Sequence, residues 1–326
     1  MKLGSLKSSH SLDGELCVVS RDLKKAVKAT AIAPNLRVAL ENWKYNQPLL
    51  QKLSDELNAN VAPGAFDVME KDFHSALPRT WLFADGSAFI YHIKLVRMAR
   101  KAPLPETLET VPLMSQGECG QFLAPTEDIP QRDFSHGTDF EGEVGVITDF
   151  VPMGTNAEEA LNYIRLFVLI NDVSLRGLIP EELAQGFGFF QSKPASALSP
   201  FAVTVDELGS AYKGGRVHLP LDVKYNNEFF GKANASAMHF HFGQLIAHAA
   251  KTRNLAAGTL IGSGTVSNES HDMGSSCLAE KRMIEQIESG SIKTSFMKSG
   301  DTIEINMLNE KGESIFGRIF QKVKSV

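Results

Sequence analysis

Cysteine is scarce in this chain: Cys17, Cys119 and Cys277 lie far apart, are odd in number and form no CxxC pair. Such a set reads as packed, idle thiols in a reducing compartment, with a catalytic cysteine as the minority reading. No basic block is present. The formal charge is −5 and the pI about 6.0, which argues against nucleic acid as a partner. No apolar run approaches the roughly 18 residues that would suggest a membrane span. The opening residues Met1-Lys2-Leu3-Gly4-Ser5 carry no apolar signal core, so a cytoplasmic location is expected. Internal repeats and low-complexity tracts are also absent. What remains, 326 residues of which 43% are hydrophobic, is a folded chain long enough for one large domain or two ordinary ones.

The first ~75 residues read as a small separate unit. Leu16 to Val19 is strand-like. Leu36 to Leu57 has helical spacing, and Pro48 is expected to divide it into two helices. Asp85-Gly86-Ser87 reads as a turn before the apolar Ala88 to Tyr91. Residues 102–131 lack periodicity and are rich in Pro and Gly, as in a functional loop with short strands. Leu166 to Ile170 is a continuous apolar run, suited to a strand buried on both faces. Strands are also expected over Ser199 to Val205, Leu260 to Val266, Thr302 to Met307 and Ile315 to Val323. Asn226-Asn227 should turn a hairpin, and Phe242 to Arg253 form a helix. Strand content dominates the second half. The expected class is α+β, predominantly β: a mixed β-sandwich roll over residues 79–326 behind a small α/β N-terminal domain over 1–78.

Chemistry concentrates in Asp139-Phe140-Glu141-Gly142-Glu143. Alternation at the strand period would send Asp139, Glu141 and Glu143 from one face, roughly 7 Å apart. Two readings are open: a solvated acidic edge strand, or oxygen ligands for a hard divalent cation. Asp172 ends the apolar run, where an acid needs a partner or a capping role. Lys193 follows the apolar stretch Gly186 to Ser192; it either snorkels to solvent or faces substrate oxygens. Gly262-Ser263-Gly264 lacks the third glycine, following helix and ribose-binding acid of a dinucleotide loop, although its backbone amides suit a carboxylate. His239 and His241, with His248 nearby, suggest a Zn or Fe site, but no acid completes a triad and structural histidines are favoured.

Taken together, Asp139 to Glu143, Asn171 to Arg176, Ser192-Lys193 ahead of Ser199-Pro200-Phe201, and Gly264-Thr265-Val266-Ser267 resemble the fumarylacetoacetate hydrolase family over residues 80 to 323. Residues 1 to ~75 resemble the small N-terminal domain of one bacterial branch. The resemblance implies a Mg²⁺ or Ca²⁺ site, with Mn²⁺ admitted, held by Asp85, Glu141, Glu143 and Asp172. It implies a general base, His92, paired with Glu280. Arg176 and Lys193 are implied as oxyanion or carboxylate donors, with Gly264 and Thr265 as substrate contacts. Asp139 is left with a structural role. A glutamine expected three residues after Arg176 is Ile179 here. The implied activity is hydrolysis of a C–C bond in a β-diketo acid, fumarylacetoacetate or an acylpyruvate, of the kind met in aromatic amino acid catabolism. A 2-oxoacid decarboxylase, hydratase or isomerase on the same fold is the alternative. A homodimer is implied; neither nucleic acid nor membrane is expected as a partner.

Overall fold

A computed structural model describes residues 1–99 and 101–326. Its architecture is α+β, built on two large sheets. The larger runs, edge to edge, through Phe66–Asp67, Lys25–Lys28, Glu15–Val19, Lys2–Leu6, Phe201–Val203, Ile164–Asn171, Gly142–Thr148, Leu260–Gly262, Phe83–Gly86 and Met114–Gly117. A five-stranded sheet follows the order Glu228–Asn234, Pro220–Tyr225, Thr302–Asn306, Ile319–Ser325, Ile129–Gln131. Its hairpin turns at Asn226 and Asn227, whose φ values of 53° and 64° are those of a primed turn. Among the described residues, seven α-helices connect and cover the sheets: α1 (Leu36–Glu41), α2 (Trp43–Asn58), α3 (Ile90–Ala99), α4 (Ala157–Ala160), α5 (Ile179–Ala184), α6 (Phe242–Ala249) and α7 (Leu278–Ser289).

The apolar run Leu166 to Ile170 explains how the layers stack. Successive strand residues face opposite ways. Phe167 and Leu169 therefore join the core shared with Ile303, Ile305 and Ile319 of the smaller sheet. Leu166, Val168 and Ile170 join a second core with Leu36, Leu40, Leu50 and Leu57 of α1 and α2. A strand serving two cores has no polar face, as its sequence shows. Burial of each such side chain contributes roughly 1.5–3 kcal/mol. The N-terminal residues are tied in directly: Lys2–Leu6 pairs antiparallel with Phe201–Val203, with Leu3 opposite Ala202.

Several sequence expectations need correction. The helical stretch breaks at Asn42, and Pro48 lies inside α2. The missing Pro N–H forfeits one bond, and the packing of Leu50 and Leu57 outweighs it. Asp85 is on a strand rather than in a turn, because Phe83–Gly86 pairs with strands on both sides. The acidic strand is interrupted: Asp139 ends the short strand Thr138–Asp139, and Gly142 begins the next, leaving Glu141 between them. The strand at Leu260 stops at Gly262, and the last strand starts at Ile319. Neither α3 nor α7 is expected from the sequence reading.

Candidate metal centre and active site

Three strand ends converge on one buried patch of acid. Asp85 is next to last in the strand Phe83–Gly86, Glu143 is second in Gly142–Thr148, and Asp172 follows Ile164–Asn171. One carboxylate oxygen from each lies within 4.8 Å of the other two. Asp85 Oδ1 and Glu143 Oε1 are buried without a hydrogen-bond partner. Burial, reinforced by the charge of Asp172, pushes the Asp85 carboxyl well above its usual range. Glu143 is pushed up likewise, by burial and then by Asp85 and Asp172. Buried, orphaned carboxylates of this kind are stable as anions only against a cation.

A missing side chain makes room for the cluster. Gly262 sits on the strand between Asp85 and Glu143, in register with Asp85. A Cβ there would lie 2.7 Å from Asp85 Oδ1 and 2.8 Å from Glu143 Oε2. Gly264 adopts φ +77°, and its amide donates to Glu143 Oε2 at 3.2 Å.

Glu141 stands beside this triad, with both of its oxygens engaged by cations. Its Oε1 accepts from Arg176 Nη2 at 2.6 Å and its Oε2 from Lys193 Nζ at 2.9 Å. Burial raises the Glu141 carboxyl, but Lys193 and Arg176 outweigh it and hold the group below its usual range. Asp172 Oδ2 takes a second Lys193 hydrogen at 2.5 Å, and Ser174 Oγ takes the third at 2.7 Å. All three ammonium hydrogens of Lys193 are thus engaged. Burial alone would lower its pKa, yet Asp172 and Glu141 hold it above the usual lysine range. Arg176 also donates from Nε to Asp139 Oδ2, leaving Nη1 without a hydrogen bond among the described residues.

Asp139 serves the scaffold. It accepts the amides of Leu278 and Ala279 at the start of α7, at 2.7 and 2.9 Å. A carboxylate at a helix N-terminus satisfies orphan donors and meets the positive end of the dipole. That anchorage fixes Glu280 one residue further on. Asp85, Glu143 and Asp172, with Glu141 beside them, are the residues placed to hold a cation. The donors are all hard oxygens, which suits Mg²⁺, Ca²⁺ or Mn²⁺.

His92 and Glu280 meet beside the acids. His92 projects from α3, Glu280 from α7, and Nδ1 lies 2.9 Å from Oε2. Ser267 Oγ donates to the other oxygen of Glu280 at 3.0 Å. Ser267 lay in the quoted Gly-Thr motif, but nothing in the sequence pointed to its partner. Ser174, which holds Lys193, lies within the Asn171 to Arg176 motif, whereas Ser196, which holds Asp172, carried no sequence signal.

Asp85, His92, Glu141, Arg176, Lys193 and Thr265 open on one cavity of about 590 Å³. Gly264 also lines it, but its amide is already committed to Glu143. Thr265 Oγ1 is buried and unpartnered. Loop 190–192, just before Lys193, is clamped by Glu182, which accepts the amides of Phe190, Gln191 and Ser192. The alternative histidine site does not form. His241 caps α6 and His239 Nε2 contacts Glu109 O, and neither belongs to a cluster of metal-ligating groups among the described residues.

Comparison with known proteins places the chain in a family. Residues 82–324 match the model described as fumarylacetoacetate hydrolase C-terminal, and residues 1–79 match fumarylacetoacetase N-terminal domain 2. The oxaloacetate tautomerase of Bacillus subtilis is 22% identical over 79% of this chain and 75% of its own length. The fumarylacetoacetase of Caenorhabditis elegans is 27% identical over 59% of this chain, and the match spans only 53% of that enzyme. Among solved structures, maleylpyruvate hydrolase from Sphingobium sp. SYK-6, in complex with manganese(II) and pyruvate, superposes with a TM-score of 0.66. The superposition covers 100% of this chain and 99% of that one, at 14% identity. The chain is a member of the fumarylacetoacetate hydrolase family.

Proposed function

We propose that this protein hydrolyses the C–C bond of a 2,4-dioxo acid, an acylpyruvate-like β-diketo acid, with a divalent ion held by Asp85, Glu143 and Asp172. The observation that carries the reading is that His92, held by Glu280, opens on the same cavity as Asp85, one of the three clustered acids, and Glu141. Glu141, with one lone pair spare on each engaged oxygen, completes the site as the cationic arm's anchor. The ion, when bound, supplies Lewis-acid polarisation of the dicarbonyl oxygens. Glu280 accepts the Nδ1 proton of His92 and so leaves the Nε2 lone pair for a water proton. The water oxygen then bonds to the acyl carbonyl carbon. The C–C bond breaks, its electron pair stays with the 2-oxo acid fragment, and that carbon takes the proton that His92 drew from the water. Arg176 Nη1 and the Thr265 hydroxyl are the donors left for the substrate carboxylate and developing oxyanion.

A second reading has a specific support. The matched tautomerase spans 79% of this chain, and a His–Glu pair also suits moving a proton between carbon and oxygen of a 2-oxo acid. A spectrophotometric panel separates the two. Hydrolysis of acylpyruvates with Mg²⁺ destroys the enol absorbance and releases two acids. Tautomerisation of oxaloacetate changes the absorbance with no C–C bond broken, and that result with inert acylpyruvates would replace the hydrolase reading.

A further inference from the structure

Cys277 has no part in the chemistry above, yet it sits against the proposed base. It caps α7, and its Sγ accepts the amide of Glu280 at 3.4 Å. One ligand atom each from His92, Cys277 and Glu280 lies within 4.8 Å of the other two, and all three residues are buried. Neither Cys17 nor Cys119 belongs to such a group among the described residues. The cluster differs in kind from the acid triad, because it offers nitrogen, sulfur and oxygen in place of three carboxylates. Of its members, His92 lines the 590 Å³ cavity, so an ion would reach the cluster past that ring.

We propose that His92, Cys277 and Glu280 form a second metal site, one for a thiophilic ion such as Zn²⁺, whose occupation shuts off the base. Thiolate and imidazole select Zn²⁺ over Mg²⁺ and Ca²⁺, which keep to the oxygen-only triad. Bonds of about 2.0–2.3 Å to a tetrahedral ion put its ligands roughly 3.3–3.6 Å apart. The present spread of up to 4.8 Å therefore has at most about 1.5 Å to close. A fourth position remains for water. Burial, then Asp139, keeps the Cys277 thiol protonated against the pull of Arg176, so the ion displaces that proton to solvent. The shut-off, which rests on the reading of His92 as general base, follows from the imidazole. An ion on Nε2 takes the lone pair meant for water. An ion on Nδ1 moves the proton shared with Glu280 to Nε2, with the same loss.

Titration of the Mg²⁺-saturated protein with Cd²⁺, followed by ultraviolet thiolate-to-metal absorbance, tests the site. One equivalent should complete the band, Zn²⁺ should remove it by competition, and Cys119→Ser should keep it. Cys277→Ser should abolish it, and serine still caps the helix; Cys277→Ala serves if that variant fails to fold. With Mg²⁺ still saturating, Zn²⁺ should slow wild-type turnover in the substrate panel above. Cys277→Ser, compared with its own rate without Zn²⁺, should need at least about tenfold more Zn²⁺ for the same loss, since even groups that only support a ligand are worth 10–100-fold in affinity. No band in the wild type, or a band retained in Cys277→Ser, overturns the site. Equal Zn²⁺ sensitivity of wild type and variant overturns the shut-off. A cysteine-dependent band with full turnover keeps the site and sinks only His92 as the base.

Discussion

His92 Nδ1 lies 2.9 Å from Glu280 Oε2, and this one hydrogen bond joins α3 to α7 across 188 residues of chain. Asp139 holds the start of α7 and Ser267 holds the far oxygen of Glu280, so the imidazole is oriented through a chain of fixed groups. In the proposed reaction, His92→Ala should lower kcat by about 10²–10⁴, the usual contribution of a general base. Mg²⁺ affinity measured by calorimetry should stay unchanged. Glu280→Gln should lose a smaller share of the same factor. Full turnover by His92→Ala would place the base elsewhere.

The acid triad predicts how the fold responds to metal. At Mg²⁺ one hundred times its Kd, binding should stabilise the protein by about 2.7 kcal/mol, a rise in Tm of about 4 °C for a chain of this size. EDTA should remove that rise. Glu143→Gln should abolish the response and, without metal, melt above the metal-free wild type, because it removes a buried acid whose charge is disfavoured by burial and by Asp85 and Asp172. Scanning calorimetry of both proteins with Mg²⁺ and with EDTA checks it, and an undiminished Mg²⁺ response in the variant would exclude Glu143 as a ligand.

Gly262 is a predicted point of failure that removes no functional group. Its added Cβ would come closer to two carboxylate oxygens than real Cβ contacts do. Gly262→Ala should therefore weaken Mg²⁺ binding at least about tenfold, roughly 1.4 kcal/mol, while the far-ultraviolet circular dichroism is retained. Wild-type affinity in this variant would mean that the acids approach the ion from another side.

Lys2 gives a pH dependence far from the site. Its ammonium is buried and donates to Ile315 O at 2.7 Å. Burial lowers its pKa to about 8, against the opposing pull of Glu207 and Glu313. Below pH 8 folded and unfolded states both carry the proton, so the full burial penalty is present. Between about 8 and 10.5 only the unfolded state keeps it, so stability rises with pH, by roughly 3 kcal/mol at most. Urea unfolding of wild type and Lys2→Met across pH 7 to 10.5 should show the wild type gaining relative to the variant. A pH-independent difference between them would remove Lys2 as the cause.

Local signals were legible wherever the physics is local. Leu166 to Ile170 reads as a strand buried on both faces because each neighbour needs its own core. Asn226-Asn227 reads as a turn because two consecutive positive φ values favour asparagine. Asp85 was less accessible: Asp-Gly-Ser is a turn by composition, and only pairing with Leu260–Gly262 and Met114–Gly117 makes it a strand end. Pro48 shows the reverse case, in which tertiary packing overrides a strong local breaker.

By itself the sequence determined which residue types are available and in what order: the acids near 141, the acid ending an apolar run, the lysine before Pro194, and a family pattern that links them. Tertiary structure alone decided their partition. Asp139, Glu141 and Glu143 look equivalent along an alternating strand, yet a break at Phe140-Glu141 sends Asp139 to the α7 amides and Glu141 to Arg176 and Lys193, leaving Glu143 with Asp85 and Asp172. Partition of this kind depends on which cation or amide reaches each carboxylate within about 3 Å. Those partners lie 35 to 140 residues away in the chain, a distance that no local pattern encodes.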